Sequence, residues 1–503
     1  MLASRHLRWI GPTLVLGIAV LLRFWALDRP NTLVFDELFY VRDAISQLAH
    51  GFPTTWPDDE PSLAGERASA FSAIASQAVH PPLGKWLIGL GILVFGPDNG
   101  WGWRSASALC GVLTVGIVMR LGWLLSRSMI IACFAGLILA LDGVHVTLSR
   151  VSILDGFLAF FVALGALLVW KDLEWTAERA VAEPVSDRIP ILWGRPWLFV
   201  AGAVFGLAAA VKWSGLYPLA AFLILVTAAD LARRLRVGER LAALRALAQA
   251  CVAGAVALPA AAIAYLASWT GWIVSPGAWG RSDSDSWFTQ LLAYHSSMFT
   301  WHSTLSAPHP YQASPFGWPL GLRPTGMYEA RWSEGCPWSA CISAVSPFPN
   351  LLITWGGLLA LIALAWLAAR AASLRRRDPV VLVASFLAVG FLSGWLPWVL
   401  TVSRSAVFQF YAVVLTPFTA LALAIALGML CGIRIAPRLG IQDSASTASL
   451  RPVDSDTLLG RRAAVGLFLA FALALSIWFF PVWSGAPVAE WFWRMHLWLP
   501  GWD

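Results

Sequence analysis

The sequence predicts an all-α, polytopic membrane fold of about eleven transmembrane helices, with interfacial helices and one long loop on the outer side. Three observations carry that prediction. Hydrophobic residues make up 58% of the 503 residues and charged ones 13%, and the mean hydropathy is +0.68, far from an average soluble domain. Apolar runs of about 20 residues recur along the chain, the length a helix needs to cross hydrocarbon with its backbone polar groups satisfied internally. Arginine-rich segments separate these runs, and basic residues mark the cytoplasmic ends of spans. The net charge of +7 therefore reads as a topology signal, and nucleic-acid binding is not expected.

In chain order the spans fall near residues 7–27, 104–125, 128–147, 151–170, 196–211, 214–231, 248–269, 350–369, 379–400, 406–431 and 462–481. With this count the basic segments at the N-terminus, Arg120 to Arg127, Lys171 to Arg195, Arg233 to Arg245, Arg370 to Arg377 and Arg434 to Arg462 share one side, the cytoplasmic one. The first run has the basic flank of a signal peptide, but Arg23 and Asp28-Arg29-Pro30 do not resemble a small-residue cleavage site, so an uncleaved first span is expected. The run Leu83 to Phe95 is shorter, about 13 residues, which suits an interfacial or re-entrant segment. Counting it as a crossing would put the later arginine clusters opposite the basic N-terminus. Gly440 to Thr457, rich in Ser, Asp and Thr, reads as a flexible cytoplasmic loop.

The resulting organisation is an N-terminal transmembrane region, 1–269, carrying a first external loop at 28–103; a long external loop at 270–349; and a C-terminal four-helix transmembrane region, 350–503. Four cysteines (Cys110, Cys133, Cys251, Cys431) lie in or beside spans, whereas Cys336 and Cys341 lie in the external GCPWSAC segment. An external pair can oxidise, so a disulfide is expected. Zinc would need more ligands than this pair offers.

The ionisable residues on the outer side are the informative ones. Asp36 and Glu37, in LVFDELFY, follow the first span directly, where acids are costly without a task. The bland alternative is a helix cap, with Asp36 starting a helix that runs through Gln47. In VHPPLGKW, two prolines restrain the chain and set Lys85 in the first turn of a short apolar helix, a place suited to an anion, or to a snorkelling lysine. Of the 35 basic residues only three are lysine (Lys85, Lys171, Lys212) and 32 arginine. In SRVSILDG, Arg150 and Asp155 stand five residues apart at the head of a span, preceded by Asp142 and His145, and are candidates for binding or for structural ion pairing. VKWSG brings Lys212 to the same side in a tight connection, and Arg404 marks the outer end of a later span, as a ligand or an interfacial anchor. His80, His295, His302 and His309 are four of the eight histidines. Their spacing matches no zinc pattern and their aromatic neighbours suit a sugar, so no metal ligand set is assigned, while a divalent-cation requirement stays open.

FDELFYV, HPPLGKWLIG, SRVSILDG, KWSGLYP, HPYQASPFGWPL and SRSAVFQFYAVVLTPF, in this order over nearly the whole chain, resemble the dolichyl-phosphate-mannose protein mannosyltransferases of glycosyltransferase family 39. The HPYQ-to-GWPL loop and the paired cysteines look most like the actinobacterial branch. The external loop, about 80 residues, is too short for the sugar-binding-like array of the fungal and animal enzymes. The resemblance implies a glycosyltransferase C type fold. It implies inverting transfer of mannose from polyprenyl-phosphate-mannose to Ser or Thr of exported proteins, at the extracytoplasmic face of a bacterial cytoplasmic membrane. Partners would then be the lipid donor, membrane lipid, the acceptor proteins and the export machinery that delivers them. Asp36 would be the general base, with Glu37 orienting the acceptor or sharing that role. Lys85, Arg150, Lys212 and Arg404 would hold the donor phosphate in place of a general acid. His80, Asp155, His309 and Tyr311 would support the substrates.

Two other readings compete. A sister enzyme could move another sugar, such as arabinose, to a lipid or glycan; HPPLGK, HPYQ and the cysteine pair favour the protein acceptor. A transporter would place ionisable residues near mid-span and show a repeat relating its halves. Here the charged motifs gather at outer helix ends.

Overall fold

The computed structural model of the chain describes residues 2–182, 189–374, 378–401, 404–438 and 454–502. Residues 440–453 of the expected cytoplasmic loop lie outside the described residues. After α1 (Leu2–Phe24), the chain forms α2 (Glu37–His50) and α3 (Leu83–Phe95) before the long α4 (Gly100–Ser126). The pair α5 (Met129–Ala140) and α6 (Gly143–Leu148) leads into α7 (Leu154–Ala182), α8 (Pro196–Val211), α9 (Leu216–Arg236) and α10 (Ala242–Ser268). The long loop holds α11 (Thr270–Val274) and α12 (Trp287–Thr304). The C-terminal region is α13 (Leu351–Ser373), α14 (Pro379–Leu400), α15 (Thr416–Leu430), α16 (Ser455–Ser484) and the short α17 (Glu490–Arg494).

Among the described residues, eight helical segments are long and apolar enough to cross a membrane: α4, α7, α9, α10, α13, α14, α15 with the turn before it, and α16. The other three expected spans coincide with shorter apolar helices, Trp9–Phe24 within α1, α5 and α8. The expected single span at 128–147 is in fact broken, because Asp142 stops α5 and starts α6 by accepting the His145 N–H at 2.8 Å. The expected span at 406–431 likewise begins in irregular backbone and a 3-10 turn, Gln409–Leu415, before Pro417 opens α15. The segment Leu83–Phe95 forms a 13-residue helix, below crossing length.

Small residues set the closest helix contacts. A Cβ on Gly202 or Gly206 of α8 would fall on the Ala257 or Ala261 carbonyl oxygen of α10, so these two glycines let the two backbones touch. Gly84 of α3 makes room for the Leu154 side chain at the head of α7.

A small three-stranded sheet departs from an all-helical expectation. β1 (Tyr328–Trp332) pairs antiparallel with β2 (Cys341–Val345), from Tyr328 opposite Val345 to Trp332 opposite Cys341, and β2 also pairs with β3 (Val488–Ala489) beside α17. Five-residue strands, one of them buried throughout, carry too little alternation to stand out among apolar runs. The Cys336–Cys341 disulfide closes this hairpin, with a Cα–Cα distance of 5.7 Å.

Gly206→Leu is expected to force α8 from α10 and lower stability by about 1–3 kcal/mol, read as a lower melting temperature of the detergent-purified protein. Gly194→Leu, where a Cβ meets nothing within 4 Å, should leave it unchanged.

Candidate active site

Asp36 and Glu37 are adjacent and have opposite environments. Glu37 is fully buried. Its Oε1 accepts from Arg104 Nε at 2.8 Å and from the Ser152 N–H at 2.7 Å; its Oε2 accepts from Arg104 Nη2 at 2.7 Å and from the Val34 N–H at 3.0 Å. Arg104 also donates to the carbonyls of Leu27, Pro30 and Thr32, so all five of its N–H groups are used. This pair ties the loop at 27–37 to α4 and to the turn before α7. Glu37 is therefore held by four hydrogen bonds that anchor this end of the bundle.

Asp36 stands at the N-cap position of α2, yet its carboxylate caps nothing. Its one side-chain contact is the Tyr40 hydroxyl at 3.5 Å, the limit of a hydrogen bond. Burial pushes its pKa up to about 6; Lys212 opposes that, Asp155 adds to it and the Tyr40 hydroxyl opposes it. The preceding Phe35 has φ +48, a conformation rarely adopted by bulky residues. His309, Phe408 and Phe410 meet its ring edge-on at 5.8, 5.6 and 5.7 Å and fix it there.

The cations converge on this acid unequally. Lys212, at the C-terminal cap of α8, places Nζ 3.0 and 3.1 Å from the Asp155 oxygens and 3.8 Å from the centre of the Tyr411 ring. Arg404 lies over Trp398 at 5.7 Å, and its buried Nε has no partner among the described residues. Lys85, 1% exposed, gives Nζ to the His80 carbonyl at 2.9 Å and to Asp43 at 3.5 Å. Arg150 points elsewhere: its guanidinium donates to the carbonyls of Leu22, Arg23 and Ala26 at the end of α1. It caps a helix C-terminus, favourable for a cation, while its buried Nε has no partner among the described residues.

Three imidazoles lie close to these groups. His80 sits 4.9 Å from the His302 ring and 6.1 Å from Tyr40. Burial, then Lys212, His302, Lys85 and Arg404, hold His80 well below the usual histidine pKa. His302 donates Nε2–H to the Val79 carbonyl at 2.7 Å, leaving Nδ1 buried with no partner among the described residues. Burial first, then Arg404, keeps its pKa down to about 4, so it is neutral at physiological pH. His309 Nδ1 accepts the Tyr311 N–H at 3.1 Å and shapes the HPYQ turn. Tyr311 itself lines a cavity of about 260 Å³ with Tyr328, Glu329, Phe348 and Trp493. No group of three or more His, Cys, Asp or Glu poised to hold a metal occurs among the described residues.

The sequence reading missed Arg104, Asp43, Tyr40 and Tyr411 as contributors. For Arg104 the signal was present: a charge at the head of an apolar helix in GWGWRSAS is costly without a partner or a task.

This helical membrane bundle, with an uncapped acid and several cations at one end, has the GT-C fold of membrane glycosyltransferases. The chain superposes on the S. cerevisiae protein O-mannosyltransferase Pmt1-Pmt2 complex bound to the sugar donor with a TM-score of 0.70, at 15% identity, over 99% of this chain and 92% of that one. Against ArnT from Cupriavidus metallidurans in the apo state the TM-score is 0.51, at 17% identity, over 96% of this chain and 77% of that one. A family profile described as dolichyl-phosphate-mannose-protein mannosyltransferase matches residues 13–266. A polyprenol-phosphate-mannose protein mannosyltransferase of Mycobacterium tuberculosis is 30% identical over 98% of this chain and 92% of its own length. The chain belongs to the dolichyl-phosphate-mannose-protein mannosyltransferase family and is a glycosyltransferase.

The two neighbouring acids should separate experimentally. Glu37→Ala leaves Arg104 buried and unpaired, at about 3–5 kcal/mol, and is expected to reduce the yield and melting temperature of the folded protein. Asp36→Asn should do neither. A folded-state pKa above the unfolded value favours the protonated acid on folding, a contribution lost as pH rises through about 6. At pH 7.5 the neutral amide should thus be at least as stable as wild type in thermal unfolding.

Proposed function

We propose that this protein transfers mannose from polyprenyl-phosphate-mannose to Ser or Thr hydroxyls of exported proteins, with inversion, at the outer face of a bacterial cytoplasmic membrane. The observation that carries the reading is Asp36, an acid at a helix start that caps nothing and lies within electrostatic range of Lys212 and Asp155. Asp36 takes the proton from the acceptor hydroxyl as its oxygen attacks the anomeric carbon. The bond from that carbon to the phosphate oxygen breaks, and its electron pair leaves with polyprenyl phosphate. Lys212 and Arg404 stabilise the growing phosphate charge. Asp155 holds the Lys212 ammonium toward the site, and Lys85 holds the HPPLGK segment against α2 through Asp43.

The acceptor chain is assigned to the aromatic cavity beside Tyr311, which connects to Asp36 through the ring contacts of Tyr311 with His309 and of His309 with Phe35. The sidedness rests on the arginine clusters near Arg120, Arg233 and Arg370, which fall at helix ends remote from Asp36. An eleven-span count and the division at residues 269 and 350 belong to the same reading. On it, acceptors reach the site after export. The donor and acceptor printed in the name of the mycobacterial relative support these substrates.

The test is transfer of labelled mannose from polyprenyl-phosphate-mannose to a Ser/Thr-rich peptide in membranes holding the protein. Label appearing in lipid or glycan, and none in peptide, would overturn the acceptor assignment. Asp36→Asn is expected to lose at least about 100-fold in turnover, the scale of a positioned general base; near-normal transfer would remove Asp36 as the base. For wild type, the rate should fall with acid below a midpoint of about 6, measured as kcat/KM against pH. Arg404→Gln should lower kcat on the order of 100-fold with little change in melting temperature, as expected for loss of one transition-state donor.

A further inference from the structure

A second cavity, of about 160 Å³, lies at the other end of the helices that carry the site, between α7, α9 and α14. On α7 it is lined by Leu173 and Ala177, whereas Asp155 faces Lys212 at the opposite end. The 22 residues from Asp155 to Ala177 span roughly 33 Å of helix at 1.5 Å per residue, close to the thickness of the hydrocarbon core. The cavity walls are apolar, and Arg233 and Arg236 of α9 stand at its rim with Asp378. Leu235 and Val237 beside them are 62% and 57% exposed, which suits a membrane boundary.

The charge at this rim is unbalanced, unlike its surroundings. Arg195 pairs with Asp172, Arg127 with Glu174, Arg234 with Asp230 and Glu239 at 2.7 and 2.9 Å, and Arg245 with Glu239. Among the described residues Arg233 and Arg236 have no carboxylate within 4.0 Å, and Arg233 reaches only the Thr176 carbonyl and hydroxyl at 3.4 and 3.3 Å. Asp378 directs its Oδ1 to the Val380 N–H at 2.9 Å. An apolar slot rimmed by two guanidinium groups at a membrane boundary matches an acyl chain below a phosphate.

We propose that this cavity binds an anionic phospholipid of the cytoplasmic leaflet, its acyl chain between α7, α9 and α14 and its phosphate on Arg233 and Arg236. The site is separate from the donor site and does not take part in the transfer reaction. The full-length protein is purified in detergent and offered dioleoylphosphatidylglycerol or dioleoylphosphatidylcholine, with retention read by native mass spectrometry and by melting temperature. Wild type should retain phosphatidylglycerol preferentially and be stabilised by it. Arg233→Gln/Arg236→Gln should weaken that retention on the order of 10-fold or more, with mannosyl transfer in phosphatidylcholine unchanged. Ala229→Phe, which fills the slot without altering charge, should weaken it too. Should the double variant not fold, Arg236→Gln at its exposed position gives the same reading. Equal retention of the two lipids by wild type, undiminished phosphatidylglycerol retention by the variants, or preferential capture of polyprenyl phosphate at this site would each overturn the proposal.

Discussion

The buried pair of Arg104 and Glu37 is the constraint on which the catalytic end of the molecule depends. One guanidinium satisfies both oxygens of one carboxylate and three backbone carbonyls of the loop at 27–32. Glu37 in turn holds the Ser152 N–H at the head of α7. A buried ion pair contributes little net stability unless every lone pair and proton finds a partner, and here they do. What the pair supplies is position: α1, α2, α4 and α7 converge at one point, and the residue next to Glu37 has no freedom to drift.

That neighbour is Asp36, and the proposed chemistry rests on the difference between the two acids. Glu37 has four hydrogen bonds and Asp36 one long contact. The helix that begins at Glu37 sets the Asp36 side chain away from its own N–H groups, and the left-handed Phe35 before it turns the chain into that orientation. The strain is held by three aromatic rings drawn from the long loop and the segment before α15. Residues far apart in sequence therefore cooperate to keep one carboxylate uncommitted.

Much of this was legible in the chain. The short run Leu83–Phe95, the paired cysteines, and the gathering of Asp36, His80, Lys212 and Asp155 at one end followed from run length, charge placement and motif order. Arg150 was not legible, because its motif places it beside the site while its long side chain turns back to the α1 carbonyls. The different surroundings of Asp36 and Glu37 were invisible for a related reason: they are decided by Arg104, whose approach depends on tertiary packing. Broken spans at Asp142 and before Pro417 were read as continuous, since hydropathy counts apolar residues and overlooks a single capping acid or proline.

The elevated pKa of Asp36 also bears on how the enzyme returns to its starting state. Under the proposed mechanism each cycle leaves a proton on Asp36 and a doubly charged phosphate monoester in the cleft. The second ionisation of a phosphate monoester lies near 6, about where Asp36 titrates. The proton can therefore pass from carboxyl to spent carrier once the carrier draws away from the cations that favour its dianion. The carrier then departs with one negative charge, held less firmly by Lys212 and Arg404, and the base is ionised again without a water-borne relay. An acid of ordinary strength would surrender the proton as readily but accept it poorly from the hydroxyl; a much weaker one would keep it and stall the cycle.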